Sequence, residues 1–184
     1  MESVRLVASS LTMLKNIEGL PSESDKVRSI HNWVSNNIRW SSDKEMYNVE
    51  DYWATPYETL KKERGDCEDI AILKYFLMLK AGVSVGTLRI SFVKMLQQGK
   101  QLAHMVLCYY DDPEDDSFVS DCINPKLLRF NARADLTLVY GFNHDNLWVG
   151  NSKMPAGVNP EQALKTWKDV RARMSEEIED NKWY

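Results

Sequence analysis

The stretch Gly65-Asp66-Cys67-Glu68-Asp69 sets one thiol among three carboxylates, directly ahead of a strongly helical run. A cysteine at a helix N-terminus is where a thiolate forms most readily, because backbone N–H groups and the helix dipole favour the anion. The three acids push the other way. Two partners would resolve that conflict: a histidine paired with the thiol, or a bound cation. Of the histidines, His31 lies on a helix away from its apolar stripe and reads as surface, while His144 falls in the turn-like Asn143-His144-Asp145-Asn146. His104 stands in the middle of an alternating apolar strand and is the candidate base.

Thiol-based acyl transfer of the papain type needs a nucleophile, a histidine to take its proton, and a group that orients the histidine. The acidic segment 111–116 reads as the turn of a hairpin, in which paired positions sum to about 227. Positions 104, 106, 119 and 121 then share one face of the sheet, so His104 and Asp121 meet. A helix carrying Cys67 and packed over that face would complete a Cys67–His104–Asp121 triad. The alternative is a hydrogen-bonded core histidine beside a strand-end carboxylate. The same register puts Cys108 on the His104 face and Cys122 on the opposite one. A 108–122 disulfide is therefore not expected, and both read as small buried hydrophobes.

Asp66, Glu68 and Asp69 crowd about one helical turn. Acids are favoured at helix N-termini, so capping alone accounts for them. Hard oxygen ligands at this spacing also suit Ca²⁺, whose charge would offset their effect on the thiol. The spacing is not that of an EF-hand loop, and the residues alone leave both readings open.

The elements that must position these groups follow from periodicity. Val4, Val7, Leu11 and Leu14 predict an amphipathic helix over 3–17. A second begins at Pro21-Ser22-Glu23-Ser24 and buries Val27, Ile30, Val34 and Ile38. Residues 41–53 read as polar and irregular, flanked by Trp40 and Trp53, either of which could line a cleft or pack in the core. Thr55-Pro56-Tyr57-Glu58 opens a short helix ending near Gly65. The central helix runs from an Asp66 cap to Ala81-Gly82-Val83, with Gly82 suited to its C-cap. Strands are expected at 86–95, 102–110, 117–123, 127–131 and 136–142. A last amphipathic helix follows from Asn159. Helices, then an antiparallel sheet, then a helix make an α+β fold of one domain over 1–184: a helical part (about 1–83), a sheet part (about 86–150) and a C-terminal helix (about 159–182).

The 43% hydrophobic content is enough for a core, and 8 Gly and 6 Pro exclude a low-complexity chain. The net charge of −4, with no Lys/Arg stripe, argues against nucleic-acid binding. No apolar run is long enough for a membrane span. Residues 1–20 show neither a compact apolar core nor a cleavage site, so no signal peptide is expected in this chain. Three cysteines leave at least one free thiol.

The combination of Gly65-Asp66-Cys67-Glu68-Asp69-Ile70-Ala71 with Ala103-His104-Met105-Val106-Leu107 and Asp121 resembles the bacterial transglutaminase-like cysteine proteinases. Asp51-Tyr52-Trp53-Ala54-Thr55-Pro56, Lys74-Tyr75-Phe76, Leu88-Arg89-Ile90, Arg133-Ala134-Asp135-Leu136 and Phe142-Asn143 extend the resemblance over residues 25–150. It implies a papain/transglutaminase-like fold, a Cys67–His104–Asp121 triad, and Ca²⁺ bound by Asp66, Glu68 and Asp69. It also implies a periplasmic protease that cuts the N-terminal region of a giant biofilm adhesin within an Ala-Ala-containing site. The implied regulator is the periplasmic domain of a membrane-bound cyclic-di-GMP receptor. The family usually has Asn after the triad Asp, where this chain has Cys122. By the parity argument Cys122 points away from His104, so little catalytic effect is expected. The triad alone does not separate hydrolysis from transglutaminase-type acyl transfer to an amine, nor from a binding protein that keeps the fold without activity.

Overall fold

The computed structural model describes residues 4–112, 115–180 and 182. Two amphipathic helices open the chain, α1 (Arg5–Ile17) and α2 (Glu23–Asn37), with Val27, Ile30 and Val34 forming the buried stripe of α2. Ser22 caps α2, its Oγ accepting the Asp25 N–H at 3.1 Å. Strand β1 (Arg39–Trp40) leads to a short helix, α3 (Asp43–Tyr47), inside the segment expected to be irregular. Five residues are too few to show helical periodicity; only the Ser42 cap and the acids behind it marked a helix start. Helix α4 (Pro56–Lys62) begins with a Thr55/Glu58 capping box. Strand β2 (Arg64–Gly65) pairs in parallel with β1 and delivers the chain to α5 (Cys67–Lys80).

Helix α5 is buried on nearly every side, because it lies between the other N-terminal helices and the sheet. It ends where Gly82 takes φ +83° and the Val83 N–H returns to the Met78 carbonyl at 3.0 Å. Six strands follow: β3 (Leu88–Gln97), β4 (Lys100–Tyr109), β5 (Phe118–Ser120), β6 (Leu128–Arg129), β7 (Leu136–Phe142) and β8 (Leu147–Val149). They form an antiparallel sheet in the order β6-β5-β4-β3-β7-β8. The β4–β5 register is the expected one, with Leu107 facing Ser120 and Cys108 facing Val119. Strand β5 stops at Ser120, however, so β4 has no β5 partner ahead of Leu107. The short β8 was not anticipated from sequence.

The sheet buries two faces. Ile90, Met105, Leu107 and Tyr109 join the core around α5, while Val93, Met95, Val106, Cys108, Val119 and Leu136 form a second cluster on the other side. This corrects the expected arrangement: α5 covers the odd-numbered residues of β4, not the face to which His104 belongs by parity. The reason is packing, since Met105, Leu107 and Tyr109 are the larger apolar set. Helices α6 (Pro160–Ala163) and α7 (Lys165–Glu179) close the fold. Fully buried Trp167 packs edge-on against Phe142 with ring centroids 5.1 Å apart. The described residues thus make seven helices and a six-stranded sheet. None of these helices is long and apolar enough to cross a membrane.

Gly65 leaves no room for a side chain: a Cβ there would stand 2.7 Å from the Asp69 Cβ and 3.3 Å from the Thr59 Cγ2. Gly65→Ala is expected to cost about 1–3 kcal/mol, read as a lower urea midpoint at constant m-value. An unchanged midpoint would show that the contact relaxes freely.

Candidate active site

His104 lies on β4 just beyond the reach of β5, and the chain leaving β5 turns into that notch. There His104 Nε2 meets Asp121 Oδ1 at 2.8 Å, with the two side chains 3% and 0% exposed. The carboxylate only accepts, so Nε2 carries the hydrogen and Nδ1 keeps the lone pair of a base. Asp121 Oδ1 also accepts the Ile123 N–H at 3.0 Å, and Oδ2 accepts Arg133 Nη1 at 2.8 Å. Burial pushes the Asp121 carboxyl up, but the hydrogen bond and charge of His104, with Ile123 and Arg133, outweigh it and hold the group well below the usual carboxylate range. Arg133 is in turn gripped by Asp135 through two bonds of 2.9 and 2.7 Å. A groove lined by Met95, Leu96, Ile123, Asn124, Arg133 and Asp135 opens beside the pair.

Cys122 does not point away from His104. One donor atom from each of His104, Asp121 and Cys122 lies within 4.8 Å of the other two. The parity argument fails because β5 has ended at Ser120 and the backbone has turned. Cys122 also packs against the core that holds Cys67 and α5. Burial pushes its thiol up to about 12, with the Asp121 charge adding to this and Lys74 opposing it. Cys108 lies in the second cluster, and all three cysteines are free.

His31 was read as surface and is instead fully buried. Its Nδ1 lies 2.7 Å from Ser120 Oγ and its Nε2 2.9 Å from the Pro125 carbonyl, because the polar flank of α2 faces the end of β5. Burial and the nearby Lys74 charge lower its pKa to about 4. Lys74 is buried beside it, and that burial brings the ammonium down to about 8. His144 is also not a bare turn residue: its Nδ1 is 2.6 Å from Tyr75 Oη, Arg171 reaches its Nε2, and its ring packs against Trp167. Trp53 belongs to the core, stacked near Phe142, whereas Trp40 is 60% exposed on β1 beside Gly65.

Cys67 takes the first position of α5. Its Sγ donates to Glu68 Oε2 at 2.9 Å, and no Cys67–His104 hydrogen bond occurs among the described residues. Burial, the Glu68 charge and that hydrogen bond push the thiol far above its ordinary range. Asp66 and Glu68 come together as expected, but their third companion is Asp43 from α3, all three offering an oxygen within 4.8 Å of the others. Asp69, expected in this group, is spent on the backbone: Oδ1 accepts the Ala54 N–H at 2.7 Å and Oδ2 the Asp66 N–H at 3.4 Å. Sequence reading missed Asp43 because it lies 23 positions before Asp66, in a helix too short to detect. Burial raises Asp43 to about 6 and Asp69 to about 7, and raises Asp66 further, with neighbouring carboxylates adding to each.

An acid whose folded pKa is raised stabilises the fold fully below its unfolded pKa, and that contribution is lost as pH climbs through the folded value. Asp66→Asn removes the titration and keeps a good N-cap. In EGTA-containing buffer it is expected to raise the melting temperature, and by more at pH 8 than at pH 5. An equal effect at both pH values would mean that Asp66 is not strained by its neighbours.

The family model for bacterial transglutaminase-like cysteine proteinases matches residues 8–149. LapG of Legionella pneumophila in its calcium-bound form superimposes with a TM-score of 0.82 at 28% identity, over 95% of this chain and 92% of that one. The EGTA-treated form of the same protein gives 0.77 at 29% identity, over 91% and 89%. No curated protein matches the chain by sequence. A cysteine opening a buried helix, a His–Asp pair at the sheet's notch and this match over most of the chain agree: it belongs to the bacterial transglutaminase-like cysteine proteinase family and has a transglutaminase-like fold.

Proposed function

We propose that the chain is a calcium-dependent cysteine endopeptidase of the periplasm. It cleaves the N-terminal region of a large cell-surface adhesin within an Ala-Ala-containing site and so controls biofilm attachment and dispersal. The observation that carries the reading is the buried His104–Asp121 pair, whose Nδ1 is left for a thiol, with the Asp121 carbonyl bound by Lys74 of the helix that begins with Cys67. The regulator is the periplasmic domain of a membrane-bound cyclic-di-GMP receptor, which sequesters the protease; the family resemblance supports this.

Asp43, Asp66 and Glu68 fit a hard cation, because three carboxylates converge and the buried Oδ1 atoms of Asp43 and Asp66 have no hydrogen-bond partner. LapG of Legionella pneumophila, solved both calcium-bound and EGTA-treated, supports Ca²⁺ as that cation. Held there, Ca²⁺ would offset the negative charge that opposes ionisation of Cys67.

In the reaction, the Cys67 side chain turns from Glu68 and gives its proton to His104 Nδ1, while Nε2–H stays on Asp121. The thiolate adds to the scissile carbonyl carbon. Main-chain N–H groups at the start of α5, including that of Cys67, stabilise the oxyanion. Collapse expels the amine, which takes the proton from His104 and leaves a thioester. Water, deprotonated by His104, then hydrolyses the acyl-enzyme and frees Cys67.

Cys67→Ala is expected to reduce cleavage of an N-terminal adhesin fragment by at least about 1,000-fold; retained cleavage would remove Cys67 from the mechanism. EGTA should abolish activity and lower the melting temperature, and Ca²⁺ should restore both. No change in either would remove calcium from the reading. Mass spectrometry of the products with an added primary amine completes the test, since amine incorporation in place of cleavage would make the protein an acyltransferase.

A further inference from the structure

Lys74 stands seven residues along α5 from Cys67. Seven residues make nearly two helical turns, so the two side chains leave the same face about 10.5 Å apart. Lys74 is 0% exposed. Its Nζ donates to the main-chain carbonyl of Asp121 at 2.7 Å and lies 3.4 Å from His31 Nδ1. The state of that histidine follows from its other contacts. The Pro125 carbonyl, 2.9 Å from Nε2, only accepts, so Nε2 carries the hydrogen. Nδ1 is then the acceptor facing both Lys74 and the Ser120 hydroxyl.

The direct partners of Lys74 are therefore a carbonyl and a neutral imidazole. Among the described residues no carboxylate makes an ion pair with it. An ammonium buried in this way carries a large desolvation cost. A methionine would fill the same position in the core without that cost. The lysine sits where the helix bearing the thiol meets the turn bearing Asp121 and Cys122. Through it, the backbone of Asp121 is tied to α5, while the carboxylate of Asp121 is tied to His104 on β4.

We propose that Lys74 is a positioning residue for the reaction: it holds the Asp121 main chain against α5 and so sets where the His104–Asp121 pair stands relative to Cys67. The proposal rests on the catalytic assignment of Cys67, His104 and Asp121 given above. It differs from a purely structural role in what it demands. A structural lysine would lose stability and turnover together on substitution, whereas positioning makes turnover depend on the N–H donor beyond any change in stability.

Lys74→Met keeps the length of the side chain and removes every donor. The expected result is a melting temperature close to the parent's, because loss of the buried ammonium offsets the unpaired Asp121 carbonyl, a fall in kcat on the adhesin fragment of about 10–100-fold, and a KM within about twofold of the parent. The downfield Nε2–H proton resonance of His104, assigned with ¹⁵N-labelled histidine, should shift or broaden. Lys74→Gln, which keeps a donor, should recover part of the lost kcat. Folded Lys74→Met with unchanged kcat and an unchanged His104 resonance would overturn the proposal. So would a parallel loss of melting temperature and kcat in both variants, or failure of both to fold, since either assigns the lysine to stability alone. The resonance is read without turnover. A parent protein that shows it yet lacks Cys67-dependent cleavage would count against the proposed function, while the response of the resonance to Lys74→Met still decides the positioning role.

Discussion

A carboxylate with no solvent exposure has to be given donors by the fold, and Asp121 is the place where this chain meets that demand. Its two oxygens take an imidazole N–H, a main-chain N–H and a guanidinium N–H, and its carbonyl takes an ammonium. Those donors come from β4, from the turn itself, from the segment ahead of β7, and from α5. Satisfying one buried anion therefore joins the sheet, the helix that begins with Cys67 and the loop between β6 and β7. The shortness of β5 is part of the same solution. A longer β5 would pair with β4 as far as His104, and the turn that carries Asp121 into the notch would be lost.

The neighbouring acids show the opposite treatment. Asp121 is surrounded by positive and donor groups and stays ionised, whereas Asp43, Asp66 and Asp69 face burial and one another and are pushed towards the neutral form. Two carboxylate environments driven apart within one site is the pattern by which proteins separate roles among identical groups. Cys67 sits on the acidic side, bonded to Glu68. A helix N-terminus contributes about 0.3–1 kcal/mol to an exposed anion and up to about 2 kcal/mol to a partly buried one, little more than the roughly 1.4 kcal/mol of a single tenfold change in ionisation. The dipole of α5 alone does not make this thiol a nucleophile, so the charge balance around it has to come from elsewhere.

Much of this was readable in the residues. Helical periodicity located α1, α2, α5 and α7, the Thr55-Pro56 start located α4, and the acidic segment set the β4–β5 register as far as Ser120. The failures share a cause, which is that local pattern carries no information once an element is short or ends early. Helix α3 is one turn long, so Asp43 went unseen. Strand β5 ends at Ser120, so alternation misplaced Cys122. His31 sits off the apolar stripe of α2, and an amphipathic reading sends such a residue to solvent. Here the polar side of that helix meets Ser120 and Pro125, and the histidine is buried by polar contacts instead of apolar ones. The choice between the two faces of β4 was a tertiary question, decided by which set of side chains buried more area.

Arg173 on α7 binds Tyr52 Oη at 2.7 Å, Glu58 at 2.6 Å and the Trp53 carbonyl, partners some 115 to 121 positions earlier in the chain. The same short segment supplies the Tyr52 N–H to Asp43 and the Ala54 N–H to Asp69. The backbone that steadies the acidic pocket is thus itself clamped from behind by α7, the last of the described helices. A growing polypeptide reaches His104 and Asp121 long before it reaches Arg173. During synthesis His104 and Asp121 therefore exist for a time without this brace, and the order in which the chain is made delays completion of the acidic pocket until the helix bearing Arg173 has docked.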